Sequence, residues 1–147
     1  LGGIMTIKPG TYKSQREPVT TPGAAARVGQ AILAASQEQD KDKEHFWVIG
    51  LNTRNGIKYV ELVSLGTLDS ALVHPREVFR FAIMQATSSI VLMHNHPSAD
   101  PEPSQVDIAL TERLGQCGAL LGIKVLDHVI IGNGSGFTSM KELGYIQ

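Results

Sequence analysis

The apolar run Ile90-Val91-Leu92-Met93 ends directly on His94-Asn95-His96-Pro97, and this junction constrains the fold more than any other segment of the chain. Four consecutive apolar residues suit a strand buried on both faces, in a sheet with layers packed above and below it. Side chains two apart on a strand project to the same side, so the imidazoles of His94 and His96 can converge while Asn95 points away. Pro97 then blocks further pairing, and Ser98 to Pro103 has loop chemistry. Ser104 is placed to cap a helix carrying apolar residues at Val106, Leu110, Leu114 and Cys117, which puts Asp107 in its first turn. A short loop folding back would bring Asp107 beside the histidines.

Two imidazole nitrogens and one carboxylate oxygen match the ligand preferences of zinc and leave a fourth tetrahedral position for water, as a catalytic zinc site requires. A plainer reading of Ser104-x-x-Asp107 is a capping box, in which the carboxylate serves only the helix N-terminus. Other zinc chemistries do not fit the residues. Deaminases need His-x-Glu with Pro-Cys-x-x-Cys, and the chain has one cysteine. Zincin proteases need His-Glu-x-x-His on a helix, which is absent. The letters His94-Asn95-His96 match the HNH nucleases by coincidence, since that motif draws its residues from separated positions.

The spacing His-x-His-x7-Ser-x2-Asp, together with GTLDSALVHPREVFRFAI, IVLMHNHPS and KVLDHVIIG in that order, resembles the RadC-like branch of the JAB/MPN metalloprotease family with its JAMM motif. The likeness runs from about Thr21 to the C-terminus. Ala99 and Asp100 depart from it, standing where the family commonly has Gly, which touches loop conformation and substrate access. The resemblance implies a three-layer, cytidine-deaminase-like architecture, zinc held by His94, His96 and Asp107, and hydrolysis of peptide or isopeptide bonds in an unidentified peptide or protein substrate. It also implies a distant Glu at the start of an apolar strand. Glu44, immediately before His45-Phe-Trp-Val-Ile-Gly-Leu, takes that place as general base. Glu61 is the runner-up, Glu77 suits a helix N-terminus, and Glu102 lies in the loop near the histidines. Ser104 would stabilise an oxyanion or cap the helix.

Asp127 and His128 interrupt another apolar strand, Lys124 to Gly132. They read either as hydrogen-bond partners of the metal ligands or as a polar pair satisfied within the fold. His74, before Pro75, belongs at a helix start, and the resemblance keeps it among the pocket residues. His45 points to the opposite strand face from Glu44.

With 147 residues and 42% hydrophobic content, one substantial core is expected. Residues 1–21 are poorly patterned and read as a flexible arm, and 22–147 as the domain. A helix from Pro22 to Ala35 is capped by Thr21. Strands at about His45 to Asn52 and Ile57 to Leu65 flank the Asn55-Gly56 turn signal. A helix from Pro75 to Ala86 feeds the strand ending at His94. A Gly-rich turn and a short helix from Ser139 close the chain. Alternating helices and strands predict an α/β fold, a mixed sheet flanked by helices. Cys117 reads as a buried structural thiol that no internal disulfide can use. No membrane span or signal peptide is visible, so a cytoplasmic protein is the default expectation.

Three functions compete on this reading: a zinc amidohydrolase, a nucleic-acid module of the kind suggested by the family's traditional link to DNA repair, and a metal-binding scaffold without turnover. The net charge of -1 gives no large basic field for nucleic acid. No helix-hairpin-helix pattern like that of longer family members is visible. The intact His-His-Asp set favours the enzyme over the scaffold.

Overall fold

The apolar run forms the centre of a strand buried along its whole length in the computed structural model, which describes residues 6–7, 18–66, 73–98, 100–132, 134 and 136–147. Most of the expected arm, and Ala99, lie outside these residues. The elements follow as β1 (Thr6–Ile7), α1 (Pro22–Ala34), β2 (Glu44–Leu51), β3 (Ile57–Gly66), α2 (Pro75–Met84), β4 (Ser89–Asn95), α3 (Gln105–Leu121), β5 (Lys124–Ile131) and β6 (Phe137–Ser139). The strands form one six-stranded sheet in the order β1-β3-β2-β4-β5-β6. Among the described residues, only β4 and β5 pair in parallel, and α3 makes the crossover between them. The expected mixed α/β sheet is therefore present.

Alternation along the central strands divides the core into two layers. Val91 and Met93 of β4 pack with Trp47, Ile49, Val129 and Ile131 under Val28 and Ile32 of α1. Ile90 and Leu92 face the other way, with Phe46, Val48, Val78, Phe79, Leu110 and Leu114 beneath α2 and α3. This is the three-layer arrangement that a doubly buried strand demands. The small residues of α1 let it sit close to the sheet: a Cβ at Gly29 would lie 2.3 Å from Met93 Sδ. Thr21 caps α1 by accepting the Ala24 N–H at 3.2 Å, with Pro22 in the first turn, as its sequence predicts.

Several local expectations change. The β2–β3 connection holds the expected Asn55-Gly56 turn and begins one residue earlier, at Asn52: Asn52 Oδ1 accepts the N–H groups of Arg54 and Gly56, both at 2.9 Å, and Asn55 takes the left-handed conformation at φ 61. The helix after His74 ends at Met84 instead of Ala86, and its Ile83 is exposed. Val106 is also exposed at 41%, while Cys117 is only half-buried. No terminal helix begins at Ser139. Residues 137–139 add β6 to the free edge of β5, Met140 N–H continues onto His128 O at 3.0 Å, and the following turn ends at Gly144 with φ 92. Satisfying the edge of β5 outweighs the local helical pattern. Among the described residues, no helix is long and apolar enough to cross a membrane.

Candidate metal centre

His94 leaves β4 on the α2/α3 side, directly opposite Phe46 of β2, and is fully buried. His96 lies just beyond the end of β4, where its N–H donates to Ile131 O at 2.9 Å and continues the ladder by one step. Its ring therefore turns back toward His94, and the two Nε2 atoms stand 3.1 Å apart. Asp107, 1% exposed in the first turn of α3, completes the triangle: Oδ1 is 3.0 Å from His94 Nε2 and Oδ2 is 3.1 Å from His96 Nε2.

The capping and ligand readings of Asp107 turn out to be compatible. Ser104 N–H donates to Asp107 Oδ2 at 2.7 Å, and Asp107 N–H donates to Ser104 Oγ at 3.2 Å. The reciprocal cap fixes the carboxylate's rotamer and aims it at the histidines. Because Ser104 Oγ is an acceptor in this box, its own hydrogen is left to donate elsewhere.

The donor set fits a metal ion. Ligands about 2.0–2.1 Å from a tetrahedral zinc are about 3.3 Å apart, close to the three edges seen here. Among the described residues, His94, His96 and Asp107 are the one group of three or more His, Cys, Asp or Glu side chains arranged to hold a metal. Burial by itself would favour the protonated Asp107, but hydrogen bonds from His94 and His96, the charge of His94 and the Ser104 N–H outweigh it and hold the carboxyl far below the ordinary carboxylate range. The Asp107 hydrogen bond likewise raises His96 above its ordinary value, against the effect of burial. A carboxylate this firmly ionised is suited to face a cation.

Two of the three residues, His96 and Asp107, border a cleft of about 340 Å³ that is also lined by Glu44, Pro97, Ser98, Ser104 and Val106, with His94 buried behind them. A larger hollow of about 530 Å³ lies between α3, β5 and the C-terminal segment, but it borders on none of the three ligands. The smaller cleft is the one that borders on His96 and Asp107. Glu44 reaches it because it lies two residues before Phe46 on β2, on the face shared with His94.

The remaining candidates separate. His128 lies on β5 opposite Leu92, fully buried, with Nε2 2.8 Å from His94 Nδ1. Burial holds its imidazole well below the ordinary value. Asp127 points to the other face and accepts the Ser139 hydroxyl at 2.6 Å and the Lys141 N–H at 3.0 Å, so it fastens the C-terminal turn and is no partner of His128's ring. His74 is the N-cap residue of α2, without a side-chain capping bond, and does not border the cleft. Glu61 is 2% exposed on β3, opposite Val48 of β2, which itself faces Leu92, so two strand spacings separate it from β4. Burial raises its carboxyl to about 7, with Arg80 opposing and Glu77 adding to the shift.

A model of the RadC-like JAB domain matches residues 21–145. The chain belongs to the RadC-like JAB domain family. A UPF0758 protein of Desulforudis audaxviator is 47% identical over 144 residues, covering 98% of this chain and 59% of its own length. One from Caldanaerobacter subterraneus is 57% identical over 103 residues, 70% of this chain and 44% of its own. Another, from Desulforamulus reducens, is 52% identical over 114 residues, 78% and 50% respectively. The chain thus spans about half the length of the curated relatives it matches.

Two residues of this RadC-like JAB domain's centre escape the sequence reading. Thr111 Oγ1 lies 2.6 Å from His128 Nδ1 and donates to Asp107 O at 2.7 Å. Its position four residues after Asp107, one helical turn along the same face, is the signal that could have found it. Asn95 does point away from the triad, yet it accepts the His45 N–H at 2.6 Å and donates to Lys43 O at 3.0 Å. Asp100 has a structural use as well: its carbonyl accepts from His96 Nδ1 at 2.9 Å.

Proposed function

We propose that this domain is a zinc-dependent hydrolase of amide bonds, in peptide or isopeptide linkages. The observation that carries the reading is the triangle of His94 Nε2, His96 Nε2 and Asp107 oxygens, with edges of 3.0–3.1 Å, at the wall of a cleft that Glu44 and Ser104 also border. Zinc bound there would supply a water whose pKa is lowered toward about 7 and an electrophile for the substrate carbonyl.

The chain's own groups supply the rest. Glu44, a carboxylate at the cleft edge, takes a proton from the attacking water and returns it to the leaving amine. The Ser104 hydroxyl, whose oxygen already accepts the Asp107 N–H, donates its hydrogen toward the oxyanion of the tetrahedral intermediate. Val106, exposed at the cleft beside Ser104, offers an apolar contact to substrate. Glu61 is too far along the sheet to replace Glu44. A peptide and isopeptide library incubated with the protein, with and without a chelator, tests the reading. Cleavage abolished by chelator and restored by zinc is expected, and cleavage indifferent to chelator would refute it.

A further inference from the structure

We propose that Thr111 and His128 form a hydrogen-bond relay that fixes His94 in the tautomer bearing hydrogen on Nδ1, so that Nε2 presents its lone pair to a metal. The inference rests on the metal-site reading above and assigns a positioning role to two residues outside the ligand set.

The direction of the relay follows from counting hydrogens. A threonine hydroxyl carries one hydrogen, and a backbone carbonyl can only accept. Thr111 Oγ1 lies 2.7 Å from Asp107 O and donates to it, so its hydrogen is committed there. The 2.6 Å contact between Thr111 Oγ1 and His128 Nδ1 must then use hydrogen from the imidazole. His128 is fully buried, and its two ring nitrogens meet a hydroxyl and another imidazole, with no carboxylate to stabilise a second proton. It is therefore neutral, with Nδ1 protonated and Nε2 an acceptor. At 2.8 Å from that acceptor, His94 Nδ1 is the donor, so the hydrogen that Nε2 shares with Asp107 at 3.0 Å is the one a metal would displace, leaving Nε2 bare toward the ion.

The relay starts on one ligand, His94, and ends on the backbone of another, Asp107. It ties β4, β5 and α3 together at the point where they must hold a fixed geometry. His96 is set separately, by donation from Nδ1 to Asp100 O in the exposed loop. Reversing the relay, with Thr111 donating to His128, would put hydrogen on His94 Nε2 and block it as a ligand. Orientation of a ligand histidine through its second nitrogen typically changes metal affinity by about 10- to 100-fold.

Long-range ¹H–¹⁵N spectra of the imidazoles in zinc-loaded, ¹⁵N-labelled protein test the relay without any substitution. Hydrogen on Nδ1 of both His94 and His128, with zinc coordination visible at His94 Nε2, is expected. Hydrogen on Nε2 of His128 would overturn the relay while leaving the metal site standing. No zinc-dependent change at His94 would overturn the site and the relay together. Thr111→Val, which keeps the shape and removes the hydroxyl, should weaken zinc binding about 10- to 100-fold in a chelator competition. Thr111→Ser should restore it to within a few-fold. Wild-type zinc affinity in a folded Thr111→Val protein would contradict the proposal.

Discussion

The side chain of Asn95 clamps the two peptide groups that flank Glu44, accepting the His45 N–H at 2.6 Å and donating to Lys43 O at 3.0 Å. The residue between the two histidines thus holds the backbone of the proposed base from the opposite face of the sheet.

Asn95→Ala should therefore damage catalysis more than metal binding. Two hydrogen bonds are lost, at a stability cost of about 1–3 kcal/mol. A shift of Glu44 by even a fraction of an ångström should lower kcat by about 10- to 100-fold. Zinc content should be unchanged. Asn95→Asp should do no better, because a carboxylate cannot donate to Lys43 O. Steady-state kinetics with metal analysis on the same samples checks this, and equal losses of zinc and activity would count against the clamp.

Ser104→Ala removes the acceptor for Asp107 N–H and the proposed oxyanion donor at once. The cap should cost about 1 kcal/mol in thermal or denaturant unfolding. The missing donor should lower kcat by about 10²- to 10³-fold. Ser104→Asp would keep a capping acceptor but no hydroxyl, so it should recover stability without recovering turnover. Recovery of both would show that Ser104 serves the helix alone.

Glu61 should set a pH dependence of stability separate from the candidate metal centre. Its carboxyl is pushed up to about 7 by burial, from an ordinary value of 4.5, and Oε2 has no hydrogen-bond partner in its buried position. Between those values the folded state binds more protons than the unfolded state, so stability falls as pH rises from about 4.5 to about 7. Glu61→Gln should abolish this fall, with a gain of about 1–3 kcal/mol over wild type at pH 8 and little difference near pH 4. Urea unfolding of both proteins at the two pH values measures it. A parallel pH dependence in the two would refute it.

Much of the centre is legible in the sequence because its residues obey short-range rules. Ile90–Met93 declares a doubly buried strand, strand alternation puts His94 and His96 on one side, and Ser104 marks the start of α3. What stays hidden depends on neighbours distant in the chain. Thr111 looks like an ordinary helix-interior residue until β5 brings His128 against it. Asn95 looks irrelevant to catalysis until β2 lies beside β4. Asp127 and His128, adjacent in sequence, part company because β5 alternates. The helical pattern after Ser139 is overridden by the unpaired edge of β5, and Val106 faces the cleft instead of the core.

Zinc content and amide hydrolysis, measured on the same preparations of wild type, Glu44→Gln and the His94→Ala, His96→Ala double variant, test the central claim most directly. Wild type should hold stoichiometric zinc and cleave; Glu44→Gln should hold zinc and not cleave; the double variant should do neither. Equal metal in all three, or hydrolysis persisting in the double variant, would contradict a catalytic metal at His94, His96 and Asp107.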